Sequence, residues 1–222
     1  MLDGIDDDHV MFLLNALYFK GACRAKFDPT ATERAPFTAA DGSRGTASLM
    51  RRQGTMRWAR GDGFDAVDLP YGNGAFSMTV LLPDSGRTAD ALATSLDART
   101  WDGVIAALRD ENVQLWLPKF TLRYADQWND VLTTLGMGVA FGGGADFTRM
   151  SRAGGLAIDF VKQDAFVDVN EEGTEAAAVT TVGIIRTSAP VYRQVRVDRP
   201  FLFAIREKLS GTVLFVGKVA KP

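Results

Sequence analysis

One cysteine and one histidine in 222 residues remove most catalytic chemistry from this chain. A single cysteine, Cys23, excludes an internal disulfide framework and leaves the compartment open. Any histidine-based triad, acid–base pair or zinc site would have to be built around His9. That residue lies beside Asp6, Asp7 and Asp8 in an acidic flank and reads as a solvated surface side chain. HExxH, G-x-S-x-G, CxxC and P-loop patterns are all absent. Gly142, Gly143 and Gly144 follow a helical pattern rather than a strand, and no Lys-Ser/Thr follows them, so they read as a connection and not as a phosphate cradle. Arg24 and Lys26 would lower the Cys23 pKa if the thiol were exposed, but without a partner histidine it reads as inert. Glu171 and Glu172 are adjacent and would point to opposite faces of a strand, a poor arrangement for shared acid–base work. The residue inventory therefore calls no metal, no cofactor and no enzyme.

Charge of one sign is missing too. Lys and Arg number 25 against 27 Asp and Glu, for a net charge of −2, without the basic field of a dedicated nucleic-acid binder. No apolar run reaches the length of a membrane span, since VMFLLNALYF (10–19) is too short and contains Asn15. The acidic start MLDGIDDDHV has no basic segment leading into an apolar one, so no signal peptide is visible.

What remains is an ordinary globular composition, 46% hydrophobic with mean hydropathy near zero, enough for a sizeable core. Strand patterning dominates. VMFLLNALYF reads as a strand buried on both faces, and further strands are expected over 45–60, 66–71, 76–83, 113–122, 156–170, 192–207 and 212–219. PYGNG (70–74), PDSGR (83–87) and LSGT (209–212) separate them as turns. Helical period appears in ADALATSL (89–96), in WDGVIAALRD (101–110) and in ADQWNDVLTTLG (125–136). In the last, Trp128, Val131, Leu132 and Leu135 form one stripe and Gly136 is a C-cap. Arg193, Arg196 and Arg199 read as charges decorating one solvated strand face.

The most informative stretch is 171–183, EEGTEAAAVTTVG. The strand-like AFVDVN (165–170) runs into Gly173, and then Thr174, Ala176, Ala178, Thr180 and Val182 occupy alternate positions. In an extended chain they share one face, uncharged and no larger than valine, with Glu175 on the opposite face. A solvated loop has no need of such a face, whereas a segment that must slide between two strands does. Residues 172–190 are also the longest stretch without a structural pattern, a length that in compact domains belongs to functional or disordered loops.

The ordered motifs NALYFKG (15–21), FDP (27–29), APF (35–37), DLPY (68–71), MTVLLP (78–83), LPKF (117–120), LGM (135–137), ADF (145–147), AFVDVNEEGTEAAAVT (165–180), DRPFLFAIRE (198–207) and LFVGKV (214–219) closely resemble the serpins, the serine-protease-inhibitor fold. The resemblance covers nearly the whole chain. It implies a partial serpin domain over residues 1–222, of α+β class, with serpin-like mixed sheets and a long exposed reactive-centre loop at about 171–191. It also implies inhibition of a serine-type endopeptidase by a suicide-substrate route, in which the cut loop enters the large sheet as an extra strand. Glu171, Glu172, Gly173, Thr174, Glu175, Ala176, Ala177 and Ala178 match the family's hinge. Counting fourteen residues past the hinge glycine, as the family does, places the reactive bond at Thr187–Ser188, and a register one residue shorter would make it Arg186–Thr187. Thr187 suits elastase-, subtilisin- or chymotrypsin-like targets, and Arg186 would suit a trypsin-like one. No nucleic acid or membrane partner is implied, and the complete protein is expected to be a monomer. The family is mostly extracellular, with a cytoplasmic location as the alternative.

Three departures from the family pattern accompany the resemblance. The chain is expected to begin at the third strand of the family's large sheet, with the preceding helices and first strands missing, so that VMFLLNALYF would present an edge and apolar faces to water. Cys23 stands where the family has tryptophan. Gln163 stands where the family has histidine in the region where the sheet opens, facing Asn15. The competing expectation is a truncated, non-inhibitory fragment or a binding module.

Overall fold

A computed structural model describes residues 12–19, 23–171 and 191–222. The chain divides into two compact units, one of residues 1–20 and 121–168, the other of residues 21–120 and 169–222.

In the first unit, β1 (Phe12–Phe19), β8 (Phe160–Val169) and β7 (Phe120–Gln127) form a three-stranded sheet in the order β1-β8-β7. β1 and β8 run parallel in an unbroken register from Phe12↔Phe160 to Phe19↔Val167. Tyr18 stacks on Phe166 with ring centroids 5.2 Å apart, a cross-strand neighbour pair that reinforces this register. β1 is not buried on both faces as its composition suggests. It is an outer strand of this sheet, and Leu13, Leu14 and Tyr18 are 44%, 51% and 65% exposed. The expected apolar edge is therefore present.

The segment after β7 departs from the helix expected over 125–136. β7 persists to Gln127, and only Asn129–Leu132 (α3) is α-helical before a wider turn at Thr133–Met137. Asn129 explains the break, because its side chain accepts from the Val161 N–H (2.9 Å) and donates to the Asp159 carbonyl (2.8 Å). These bonds tie the helix start to β8 instead of prolonging a free helix. Gly136, at φ 98°, kinks the chain inside this turn, which is capped at Gly138 and not at the expected Gly136, and Val131 and Leu135 stay exposed.

The second unit is built on an eight-stranded sheet. Its strands are β2 (Glu33–Thr38), β3 (Arg44–Gly61), β4 (Phe64–Tyr71), β5 (Phe76–Pro83), β6 (Arg109–Pro118), β9 (Arg193–Arg196), β10 (Phe201–Glu207) and β11 (Val213–Val219). The order is β11-β10-β5-β4-β3-β6-β9, with β2 on β3. β3 is long enough to serve two neighbourhoods: Arg44–Leu49 pairs with β2, and Arg57–Gly61 pairs with β4 across a tight Asp62–Gly63 turn. β4, β5 and β10 lie inside this order and are buried almost throughout, which is why they read as continuous apolar runs. One face is covered by α1 (Ala89–Ser95) and α2 (Ala98–Ala107), capped by the Thr88 and Asp97 side chains. Leu92 and Val104 pack there with Phe64, Leu81 and Leu202. Each such buried side chain contributes about 1.5–3 kcal/mol.

Arg109 and Asp110, expected to end a helix, instead open β6, because α2 stops at Ala107. β2 has no apolar alternation strong enough to announce it, and Pro36, which lacks an N–H, fits there because β2 pairs with β3 alone. The run expected over 192–207 breaks into β9 and β10 at Val197–Pro200, where the Asp198 carbonyl accepts from the Thr38 N–H (2.9 Å).

Candidate functional site

β8 delivers the chain through Asn170 to Glu171, the first residue of the expected hinge. Glu171 does not dangle. Its Oε2 lies 2.7 Å from Lys119 Nζ, and its Oε1 accepts from Thr32 Oγ1 at 2.7 Å. Both partners are themselves held by hydrogen bonds around them. Lys119 stands between β6 and β7, and its N–H donates to the Ser48 carbonyl at 2.9 Å. Thr32 closes a single 3-10 turn, Pro29–Ala31, in which Asp28 accepts from the Thr30 N–H and hydroxyl and Pro29 supplies the preset φ. The Glu171 side chain is only 10% exposed. That burial pushes its carboxyl pKa upward, but the Lys119 and Thr32 hydrogen bonds outweigh it and hold the group below the usual carboxylate range. Glu171 is thus an ionised group tied to both partners at the base of the expected hinge.

At the other end of the expected loop, β9 returns parallel to β6, Val113↔Arg193 through Trp116↔Arg196. Val195 and Val197 are buried, and the Val197 N–H donates to the Trp116 carbonyl. Arg193 lies 3.7 Å from the ring centroid of Trp58, while Arg196 pairs with Glu33 (3.1 Å) and lies 5.4 Å from the Trp116 ring. Arg199 donates to the Pro83 carbonyl. The three arginines therefore do not share one solvated face. A spacing of three in a strand sends Arg193 and Arg196 to opposite sides, and each finds an aromatic partner.

Glu172, Gly173, Thr174, Glu175, Ala176, Ala177 and Ala178 of the expected hinge, together with Arg186, Thr187 and Ser188 at the expected reactive bond, lie outside the described residues, as does His9. Asn15 and Gln163 are brought together as direct register partners across the β1–β8 pair. Lys119 and Thr32 are the residues that sequence reading missed, although LPKF held the first of them. Cys23 is buried, and burial pushes its thiol up to about 11 against a smaller lowering by Arg52, which supports the inert reading. Among the described residues no group of three or more His, Cys, Asp or Glu could hold a metal ion.

Comparison with known proteins identifies the family. The family model described as "Serpin (serine protease inhibitor)" matches residues 1–222. Glia-derived nexin of Mus musculus is 34% identical over 96% of this chain and 55% of its own, and Iripin-3 of Ixodes ricinus is 37% identical over 93% and 53%. Among solved structures, the native thermophilic serpin tengpin superposes with a TM-score of 0.86 at 29% identity, over 100% of this chain and 58% of that one. Native protease nexin-1 with heparin gives 0.83 at 30%, over 95% and 57%. The chain spans somewhat over half the length of these relatives. With mixed sheets and this match along all of its length, the chain belongs to the serpin family.

Proposed function

We propose that this chain inhibits a serine-type endopeptidase as a suicide substrate, with the loop cut at Thr187–Ser188 and inserted into the large sheet. The observation that carries the reading is the alternation of small uncharged residues from Thr174 to Val182, joined through Gly173 to a base held by Glu171. The seam that opens is the parallel β1–β8 pair, with Asn15 and Gln163 across it. Gly173 turns the chain back on β8, so the entering strand runs antiparallel to β8 and, because β1 parallels β8, antiparallel to β1 as well. One parallel pairing is exchanged for two antiparallel ones, the slightly more stable kind. Each added ladder bond contributes about 1 kcal/mol, and uncharged residues at the leading positions avoid desolvating an ion on entry. Fifteen extended residues, Gly173 to Thr187, reach about 50 Å at roughly 3.3 Å each, enough to cross a sheet. The protein acts here as a consumed substrate and not as a catalyst.

Incubation with elastase-, subtilisin-, chymotrypsin- and trypsin-like proteases tests this. A covalent complex stable in SDS is expected with one of the first three, and mass spectrometry should place the cut after Thr187. A cut after Arg186 would reassign the target to the trypsin-like class. Cleavage with neither a complex nor a rise in thermal stability would favour the second reading, a non-inhibitory binding module, which the exposed apolar side chains of β1 make worth testing.

A further inference from the structure

A cavity of about 250 Å³ opens in the second unit where four chain segments meet. Ala39 and Ala40 come from the link between β2 and β3, and Arg87 to Asp90 from the start of α1 and the link before it. Arg199 and Pro200 come from the link between β9 and β10, and Lys218 from β11. The alanine and proline walls are short and apolar, with Ala39 and Ala89 buried. Among the described residues three cations line the cavity, Arg87, Arg199 and Lys218, against one carboxylate, Asp90. Each cation is anchored and still has donors to spare. Lys218 Nζ lies 2.5 Å from Asp90 Oδ1. Arg199 donates Nε–H to the Pro83 carbonyl and a terminal N–H to Asp198, both at 2.9 Å. Arg87 donates to the Asp62 carbonyl and to Ser95 Oγ (2.6 Å), and among the described residues it is in no ion pair. Asp84, which also feels Arg87 and Arg199, is engaged by Arg60. The cavity therefore keeps a surplus of positive charge.

We propose that this cavity binds a small organic carboxylate, with the charged end at Lys218 and the arginines and the apolar body against the alanine and proline walls. Sites for drug-sized molecules run from about 300 to 1,000 Å³, so a volume just below that range limits the ligand to one ring or a short chain. Guanidinium groups offer paired N–H donors that match the two oxygens of a carboxylate. An inorganic anion would leave the apolar walls wet, and an uncharged molecule of the same shape would leave the cations unmatched. Asp90 is the built-in competitor. Its side chain is 68% exposed and that of Lys218 39%, so their ion pair contributes little and a ligand carboxylate can exchange for it. A ligand held here bridges all four segments and stabilises the folded chain by mass action. None of these residues belongs to the reactive loop or its hinge, so the proposal does not rest on the inhibitory function.

Benzoate is the probe, with benzamide as its uncharged counterpart and inorganic phosphate as an anion without an apolar body. Titration of the isotope-labelled full chain, followed by NMR, should give saturable benzoate shifts at the amides of Ala40, Ala89 and Lys218, with Kd about 1 mM. Lys218→Met should weaken binding about 3- to 10-fold by removing a cation. Ala40→Leu, at an exposed position, should weaken it by a similar factor by filling the cavity, and it carries the test if the first variant folds poorly. Asp90→Asn removes the competitor and should tighten benzoate about 2- to 5-fold, a direction that a merely structural role would not produce. Benzamide binding as well as benzoate would show that the cations do not select, and would overturn the proposal. Phosphate shifting these amides where benzoate does not would reassign the cavity to inorganic anions and also overturn it. So would the absence of shifts up to about 20 mM benzoate, or benzoate binding that none of the three variants alters.

Discussion

Glu171 is held by two hydrogen bonds whose strength depends on its remaining ionised. Its folded pKa lies below the unfolded value, so its contribution is complete above the unfolded carboxylate pKa and disappears as pH falls through the lowered folded one. Glu171→Gln keeps a partner for Thr32 but removes the charge facing Lys119. At neutral pH it should cost about 1 kcal/mol, because Lys119 is partly exposed and its solvent screens the pair. The two proteins should converge in stability as pH drops below the ordinary glutamate range of about 4.5. Denaturant titrations of both at pH 7 and pH 3 check this, and a gap that persists in acid would refute the role of the charge. A different outcome is expected for the buried polar cluster in β4, β5 and β10. Asp68 Oδ1 accepts from Thr79 Oγ1 at 2.7 Å and from Arg206 at 3.2 Å, both charged groups being nearly inaccessible. Arg206→Met strands the Asp68 carboxylate in the core and should cost about 3–5 kcal/mol, whereas adding Asp68→Leu should recover most of the loss. Chemical denaturation of the single and double variants separates a charge effect from a packing effect.

At the scale of elements, the inner strands and the partners of Glu171 differed in how legible they were. β4, β5 and β10 announced themselves because inner strands are apolar on both faces, and the alternation from Thr174 to Val182 is visible without any structure. Lys119 and Thr32 were not legible as partners of Glu171, since each lies far away in sequence and nothing local in LPKF or in the turn after FDP specifies a carboxylate. The helix expected over 125–136 failed because its stripe had the correct period, while Asn129 was already committed to the backbone of β8. Tertiary hydrogen bonds overrode a local pattern. Where the local pattern is itself the mechanism, substitution should be decisive. Thr174→Arg puts a charge at the leading position of the proposed insertion, at a desolvation cost of several kcal/mol. The variant should still be cut at Thr187–Ser188 but should release active protease, so SDS-stable complex falls and cleaved product rises. Undiminished complex formation would show that Thr174 does not enter the sheet.

At the scale of the whole molecule, the same sheet that is proposed to accept a strand already exposes one. β1 is an outer strand of the β1-β8-β7 order, and Leu13, Leu14 and Tyr18 are largely open to solvent. An outer strand offers unpaired N–H and C=O groups, and natural sheets blunt such edges with lysine, proline or a covering element. None of β1's residues is charged. The described fold therefore carries a surface suited to pairing with another extended chain, and a second copy presents the same surface. The 222-residue chain should self-associate at micromolar concentration in a β-rich form. Leu14→Lys places a gatekeeper charge on an already exposed position, so it should suppress association while shifting the monomer's stability by less than about 0.5 kcal/mol. Analytical ultracentrifugation of the two proteins at matched concentration is the check. Equal association would move the contact elsewhere, and the charge-free β11 residues Val213, Leu214 and Val216 would be the next site to substitute, because they too lie exposed on a terminal strand of their sheet.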